Sequence, residues 1–219
     1  MDKAMKKART HTVYRLADGK RVPGTTTITG VLNKPALVPW ANKIGLQGIE
    51  VGKYVDELAS IGTLIHYLVE CHIKKQDPEL GDYTPNQIDT AENGFLKYLE
   101  WEKRNKPKVI ASELQLVSET KKYGGTIDSI MEINGKLVLI DFKSSKGVFP
   151  DHHLQVAGGY LPLAIEAGYD VKEASILRIG RDETEGFDFI SCPNLILNIQ
   201  KFELCRQIYE INKKLKGGK

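Results

Sequence analysis

The stretch Thr126-Ile127-Asp128-Ser129-Ile130-Met131-Glu132-Ile133-Asn134-Gly135-Lys136-Leu137-Val138-Leu139-Ile140-Asp141-Phe142-Lys143 decides the fold. Two aliphatic runs flank Asn134-Gly135, the dipeptide that most readily supplies the positive φ angles of a type I′ turn. The reading is an antiparallel hairpin, Thr126 to Ile133 against Lys136 to Lys143. With Ile133 opposite Lys136, counting outward sets Asp128 opposite Asp141. Side chains two apart share a face of a strand, so Asp141 and Lys143 point the same way across Phe142. The continuous apolar run Leu137-Val138-Leu139-Ile140 belongs to a central strand, which seldom ends in Asp-x-Lys without a reason.

Facing carboxylates repel unless a cation or proton lies between them, and oxygen ligands from both suit Mg²⁺ or Mn²⁺. Lys143 is placed to orient or activate a water and to offset charge growing on a phosphorane-like transition state. Singly, Asp128 or Lys143 would more often be an ordinary structural or solvated charge. Jointly they describe phosphodiester hydrolysis.

Outward from the hairpin, Val109 to Val117 alternates as a strand buried mainly through Ile110, Ser112, Leu114 and Leu116. Before it the period is helical. Phe95, Leu96, Leu99 and Ala91 give one apolar face; Ile61, Leu64, Ile65, Leu68 and Val69 form a stripe within a helical region from Pro39 to about Gln76. Thr25-Thr26-Thr27 opens a short helix ending before Pro35, and His11 to Val22 reads as a small ribbon turning at Asp18-Gly19. After Pro150 a helix runs from about His152 to Glu166 and stops at Gly168. Ala174 to Ile179 and Phe187 to Ile190 are strands, and a last helix occupies Pro193 to Leu215. Adjacent His152 and His153 point to different sides of a helix, which makes them surface or substrate-proximal and not a metal pair.

Gly125-Thr126-Ile127-Asp128, Leu139-Ile140-Asp141-Phe142-Lys143-Ser144-Ser145, Gln155 and Tyr160 together resemble the PD-(D/E)XK nucleases, and within them the RecB-like exonuclease branch. That branch includes phage recombination exonucleases, the nuclease domains of recombination helicases, CRISPR adaptation nucleases and a mitochondrial genome maintenance exonuclease. The resemblance implies a restriction-endonuclease-like α/β core, a central mixed sheet flanked by helices after a largely helical N-terminal region, and Mg²⁺- or Mn²⁺-dependent cleavage of DNA. Gly62-Thr63-Leu64-Ile65-His66 is similar to the branch's Gly-x-x-x-His motif, which makes His66 the third metal ligand beside Asp128 and Asp141. Gly62, one turn before His66, clears space beside it, and the nearby apolar stripe should leave His66 partly buried. Glu113 stands where the family often has an acidic residue that helps the metal site or pairs with a neighbouring base, which makes it a further catalytic candidate; a solvated strand glutamate is nearly as ordinary a reading. Gln155 and Tyr160 correspond to the family's Gln and Tyr that face the substrate and the lysine. Five residues apart, they are rotated by about 500° in a regular helix and would fall on different faces. Tyr14-Arg15-Leu16-Ala17-Asp18-Gly19 with Val22-Pro23-Gly24-Thr25-Thr26-Thr27 is similar to the branch's N-terminal segment, as a clamp on single-stranded DNA or a structural ribbon.

The 219 residues suit a single nuclease domain: a basic tail over 1–10, a ribbon and helical region over 11–105, a catalytic sheet core over 106–192 and a C-terminal helix over 193–219. Apolar residues make up 41% and charged residues 27%, and no stretch reaches the roughly 20 apolar residues of a membrane span. The N-terminus lacks a signal core, which points to the cytoplasm. Cys71, Cys192 and Cys205 are too few and wrongly spaced for the iron–sulfur cluster of some relatives and read as buried thiols. A formal charge of +3 permits a polyanionic partner without demanding one. The expectation is an exonuclease acting on DNA with a free end or a single strand, in phage or mobile-element recombination or repair, with a recombination partner protein as a further expectation. A structure-specific endonuclease or a non-catalytic DNA-binding subunit are the alternatives.

Overall fold

The structure is a computed structural model and describes residues 12–181 and 185–217. The basic tail at 1–10 and His11 of the ribbon lie outside the described residues. The hairpin forms as its turn dictates: Asn134 and Gly135 take φ of 51° and 76°, and Ile133 pairs with Lys136. Its arms are β4 (Tyr123–Ile133) and β5 (Lys136–Lys143). With β3 (Lys108–Ser118), β6 (Glu173–Ile179) and β7 (Phe187–Ser191) they make a five-stranded mixed sheet ordered β3-β4-β5-β6-β7. Only the β5–β6 pair is parallel. The apolar run of β5 is thus central and buried, as its composition requires.

Helices cover both faces, giving the mixed α/β class that the pattern implies. On one side, Met131, Ile133, Val138, Ile140 and Phe142 pack with α3 (Val51–Lys74) and α4 (Pro85–Asn105) through Leu64, Ile65, Leu68, Tyr98 and Trp101. On the other, Ile130, Leu139 and Ile176 meet Leu154, Val156, Leu161 and Phe202. Those come from the connection after β5 and from α7 (Leu195–Leu215). A two-stranded ribbon, β1 (Tyr14–Arg15) and β2 (Arg21–Val22), leads into α1 (Thr25–Thr29).

Four local expectations are corrected. The helical region from Pro39 to Gln76 is two helices, α2 (Leu37–Leu46) and α3, because Gly48 turns the chain at φ 76° and Glu50 caps the second with bonds from Gly52 N and Lys53 N. Leu96 is 57% exposed; the buried face of α4 runs through Ala91, as expected, together with Tyr98 and Trp101. On β3 a register shift between Val109 and Ala111 and a positive φ of 53° at Glu113 break the alternation, so that Ile110 is exposed.

The fourth correction bears on function. The helix after Pro150 is α-helical over α5 (Pro150–His153) and α6 (Leu161–Glu166), but Leu154–Tyr160 between them is a π-helix. Its i→i+5 ladder brings residues five apart onto one side. Gly158 lies where α7 crosses this segment; a Cβ there would stand 2.6 Å from the backbone oxygen of Asn198.

Candidate active site

At the open end of the hairpin, Asp128 and Asp141 are 5% and 2% exposed, on neighbouring strands. The last ladder pair, Ser129 with Ile140, puts them next in register, as counting from the turn predicts. Asp128 Oδ2 accepts a hydrogen bond from Phe142 N at 2.8 Å, which fixes it across the strand pair. His66 Nδ1, from α3, stands 3.6 Å from the same oxygen, and its side chain is 28% exposed, partly buried as expected. Lys143 Nζ lies 2.6 Å from Asp141 Oδ2. That contact is a charge contact: Asp141 Oδ2 is fully buried yet receives no well-directed hydrogen bond.

Burial alone would raise both carboxyls. For Asp128 the nearby His66, Lys143 and the Phe142 N–H outweigh burial and hold it down at about 2. For Asp141 burial prevails over Lys143, and the charge of Asp128 adds to it, raising the group to about 6. One member of the pair is thus poised to carry a proton where the other stays ionised.

Gly62 does clear space, but Ser144, just after Lys143, uses it: a Cβ on Gly62 would come 2.4 Å from Ser144 Oγ. The helix bearing His66 and the loop after β5 therefore meet closely at this point. On the opposite side the π-helix unites the two residues that a regular helix would separate, and Gln155 Nε2 donates to Tyr160 OH at 2.6 Å. Burial, then the charges of Asp141 and Asp128, hold the Tyr160 phenol well above its ordinary pKa. It stays neutral and, accepting from Gln155, keeps its own proton for a partner in the cavity.

These six residues, His66, Asp128, Asp141, Lys143, Gln155 and Tyr160, line one cavity of about 350 Å³. Glu113 is not among its lining residues; it sits in the irregular part of β3. His152 and His153 are half-buried. Burial, then the charge of Lys143, lowers His152 to about 4, while His153 Nδ1 contacts Cys192 Sγ at 3.4 Å. All three cysteines are buried and free.

The rest of the lining comes from the N-terminal segment and β4: Thr12, Tyr14, Gly24, Thr26, Thr27 and Thr126. The sequence of this segment allows a clamp or a structural ribbon. It is the cavity's second wall. Its attachment is specific: Gly124 N donates to Pro23 O at 2.9 Å, Thr25 Oγ1 donates to Gly124 O at 3.0 Å, and Tyr14 OH shares a 2.8 Å hydrogen bond with Thr126 Oγ1. Gly124 admits the Tyr14 ring, since a Cβ there would stand 2.4 Å from Tyr14 Cγ. The sequence signal was the pair Gly124-Gly125 before Thr126, which marks a close approach without naming what approaches.

As the side chains lie, no three His, Cys, Asp or Glu among the described residues converge on one point as a ready metal sphere. His66 turns to Asp128, and Lys143 occupies the free side of Asp141. The residues nevertheless fit a hard divalent ion: two adjacent buried carboxylates, one of them in contact only with an ammonium that is not well directed for a hydrogen bond, and an imidazole beside them.

No family model matches the chain, and no curated protein matches it. Among solved structures, the crystal structure of SSO0001 is 15% identical, covers 70% of this chain and 74% of that one, and has a TM-score of 0.35. LHK-Exo in complex with dAMP is 11% identical over 74% of this chain and 91% of that one, at a TM-score of 0.36. The alkaline exonuclease LHK-Exo from Laribacter hongkongensis is 9% identical, with 73% and 90% covered, at 0.35. Likeness at this level leaves any assignment of activity to the site itself. Among the described residues no helix is long and apolar enough to cross a membrane.

Proposed function

We propose that this chain is a metal-dependent DNA nuclease of the PD-(D/E)XK type, hydrolysing phosphodiester bonds from a free DNA end. The observation that carries this is the buried Asp128–Asp141 pair with Lys143 and His66 in one cavity. Burying two like charges side by side is costly, and a fold keeps such a pair where it has use for it. Asp128, Asp141 and His66 would hold Mg²⁺ or Mn²⁺, which when bound supplies a Lewis acid and lowers the pKa of water. Lys143 orients the attacking water and offers a positive charge where the phosphorus centre gathers negative charge. Tyr160, braced by Gln155, donates to a phosphate oxygen on the far side of the cavity. The end-directed mode draws on the family resemblance and on the wall formed by the N-terminal segment.

The test is cleavage of DNA labelled separately at each end, single- and double-stranded, with Mg²⁺, Mn²⁺ or EDTA, by wild type and Lys143→Ala. Wild type is expected to release label with metal only, and Lys143→Ala to be slower by about 10²–10³-fold. Internal cuts without release of end label would make it an endonuclease. DNA binding without cleavage under any condition would make it a non-catalytic DNA-binding subunit.

A further inference from the structure

The two walls of the cavity differ in chemistry. One carries the carboxylates, Lys143 and His66; the other, from the ribbon, α1 and the start of β4, carries the uncharged hydroxyl residues Tyr14, Thr26, Thr27 and Thr126. Hydroxyls both donate and accept, so one such wall serves phosphate oxygens and sugar hydroxyls alike, which an ammonium, a donor only, does not. Tyr14 and Thr126 lie 112 positions apart in sequence yet share a 2.8 Å hydrogen bond. The Tyr14 ring reaches that position only because Gly124 has no side chain to exclude it. At about 350 Å³ the cavity stands at the small end of ligand clefts, roughly 300–1,000 Å³, a size for one nucleotide unit.

Resting on the nuclease reading, we infer that the Tyr14–Thr126 hydroxyl pair positions the nucleotide adjoining the scissile phosphate and holds the mononucleotide released by end-wise hydrolysis. Either hydroxyl can turn its proton to the ligand while accepting from the other, so the pair acts as one unit. These are positioning residues; neither needs to touch the reacting atoms.

The test combines DNA cleavage kinetics with calorimetric titration of deoxythymidine monophosphate and of inorganic phosphate, in Mg²⁺, for wild type, Tyr14→Phe, Thr126→Val and the double variant. Tyr14→Phe keeps the ring on Gly124, and matching melting curves verify that the wall stays in place. Each single variant is expected to raise KM for DNA and weaken mononucleotide binding by about tenfold, and the double variant by little more, because one shared bond is lost. Inorganic phosphate should bind more weakly than the mononucleotide. A wild type that cuts DNA, with KM and mononucleotide affinity unchanged in both variants, would sink this assignment and leave the nuclease reading intact. Equal affinity for phosphate and mononucleotide would also overturn it. A wild type that binds the mononucleotide in a Tyr14-dependent way and cuts no DNA would uphold the pocket and end the nuclease reading.

Discussion

Asp141→Asn is expected to abolish metal-dependent cleavage, by on the order of 10³-fold or more, while making the metal-free protein more stable. The two effects have one origin. Asp141 is 2% exposed beside a second carboxylate, and burial lifts it to about 6, so at neutral pH the fold holds an ionised group that its surroundings disfavour. Asparagine removes that charge and the repulsion from Asp128, and leaves Lys143 near the remaining carboxylate, which already feels its charge. The gain is expected to be on the order of 1–3 kcal/mol, a few degrees in Tm. The pH dependence follows in sign. A carboxyl raised above its unfolded value stabilises the fold fully below about 3.8, and that contribution is lost as pH rises to about 6. Asp128, held at about 2, behaves oppositely: its contribution is present above about 3.8 and lost as pH falls towards 2. Metal-free wild type should therefore lose stability relative to Asp141→Asn between about pH 4 and 6 and run parallel to it above. Thermal melts across that range with EDTA, alongside cleavage with Mg²⁺, measure both. An Asp141→Asn protein that still cuts DNA at the wild-type rate would remove Asp141 from the chemistry.

Gly158→Ala is expected to destabilise the protein by about 1–3 kcal/mol or more and to lower cleavage even below its melting temperature. The new methyl would stand 2.6 Å from the backbone oxygen of Asn198 and 2.8 Å from Cβ of Phe202, neither at the end of a flexible chain. Alanine's better helical propensity recovers only about 1 kcal/mol. Relief requires the π-helix or α7 to move, and the π-helix carries Gln155 and Tyr160. A displacement of about 1 Å at such groups can cost about 100-fold in rate. Gly45→Ala in α2, where a Cβ meets nothing within 4 Å, is the contrasting substitution and should stabilise slightly. Tm and single-turnover cleavage of the two variants check this. Equal stability of Gly158→Ala and wild type would mean that α7 does not press on the segment as described.

What was legible in the sequence was what short-range chemistry fixes. Asn134-Gly135 sets its own turn, the turn sets the register, and the register puts Asp128 beside Asp141. The stripe on α3 gave the buried side of the helix that carries His66. What escaped depends on partners distant in sequence. No local pattern announces that Tyr14 will lie against Gly124 or that Gly62 makes room for Ser144. The π-helix escaped because a residue count converts to an angle only if the helix type is known; five residues separate Gln155 from Tyr160 in a regular helix and join them here. The positive φ at Glu113 was likewise beyond reach, since no local pattern around it announces the break in the alternation of β3.

The contact between Lys143 and Asp141 has a consequence for how a metal would enter. The dyad is not bare: Lys143 supplies the protein's own cation on a tether, at a high effective concentration beside Asp141. Loading would be an exchange, with the ammonium leaving Asp141 as the divalent ion arrives. On this view the lysine is the placeholder that lets two buried carboxylates wait together.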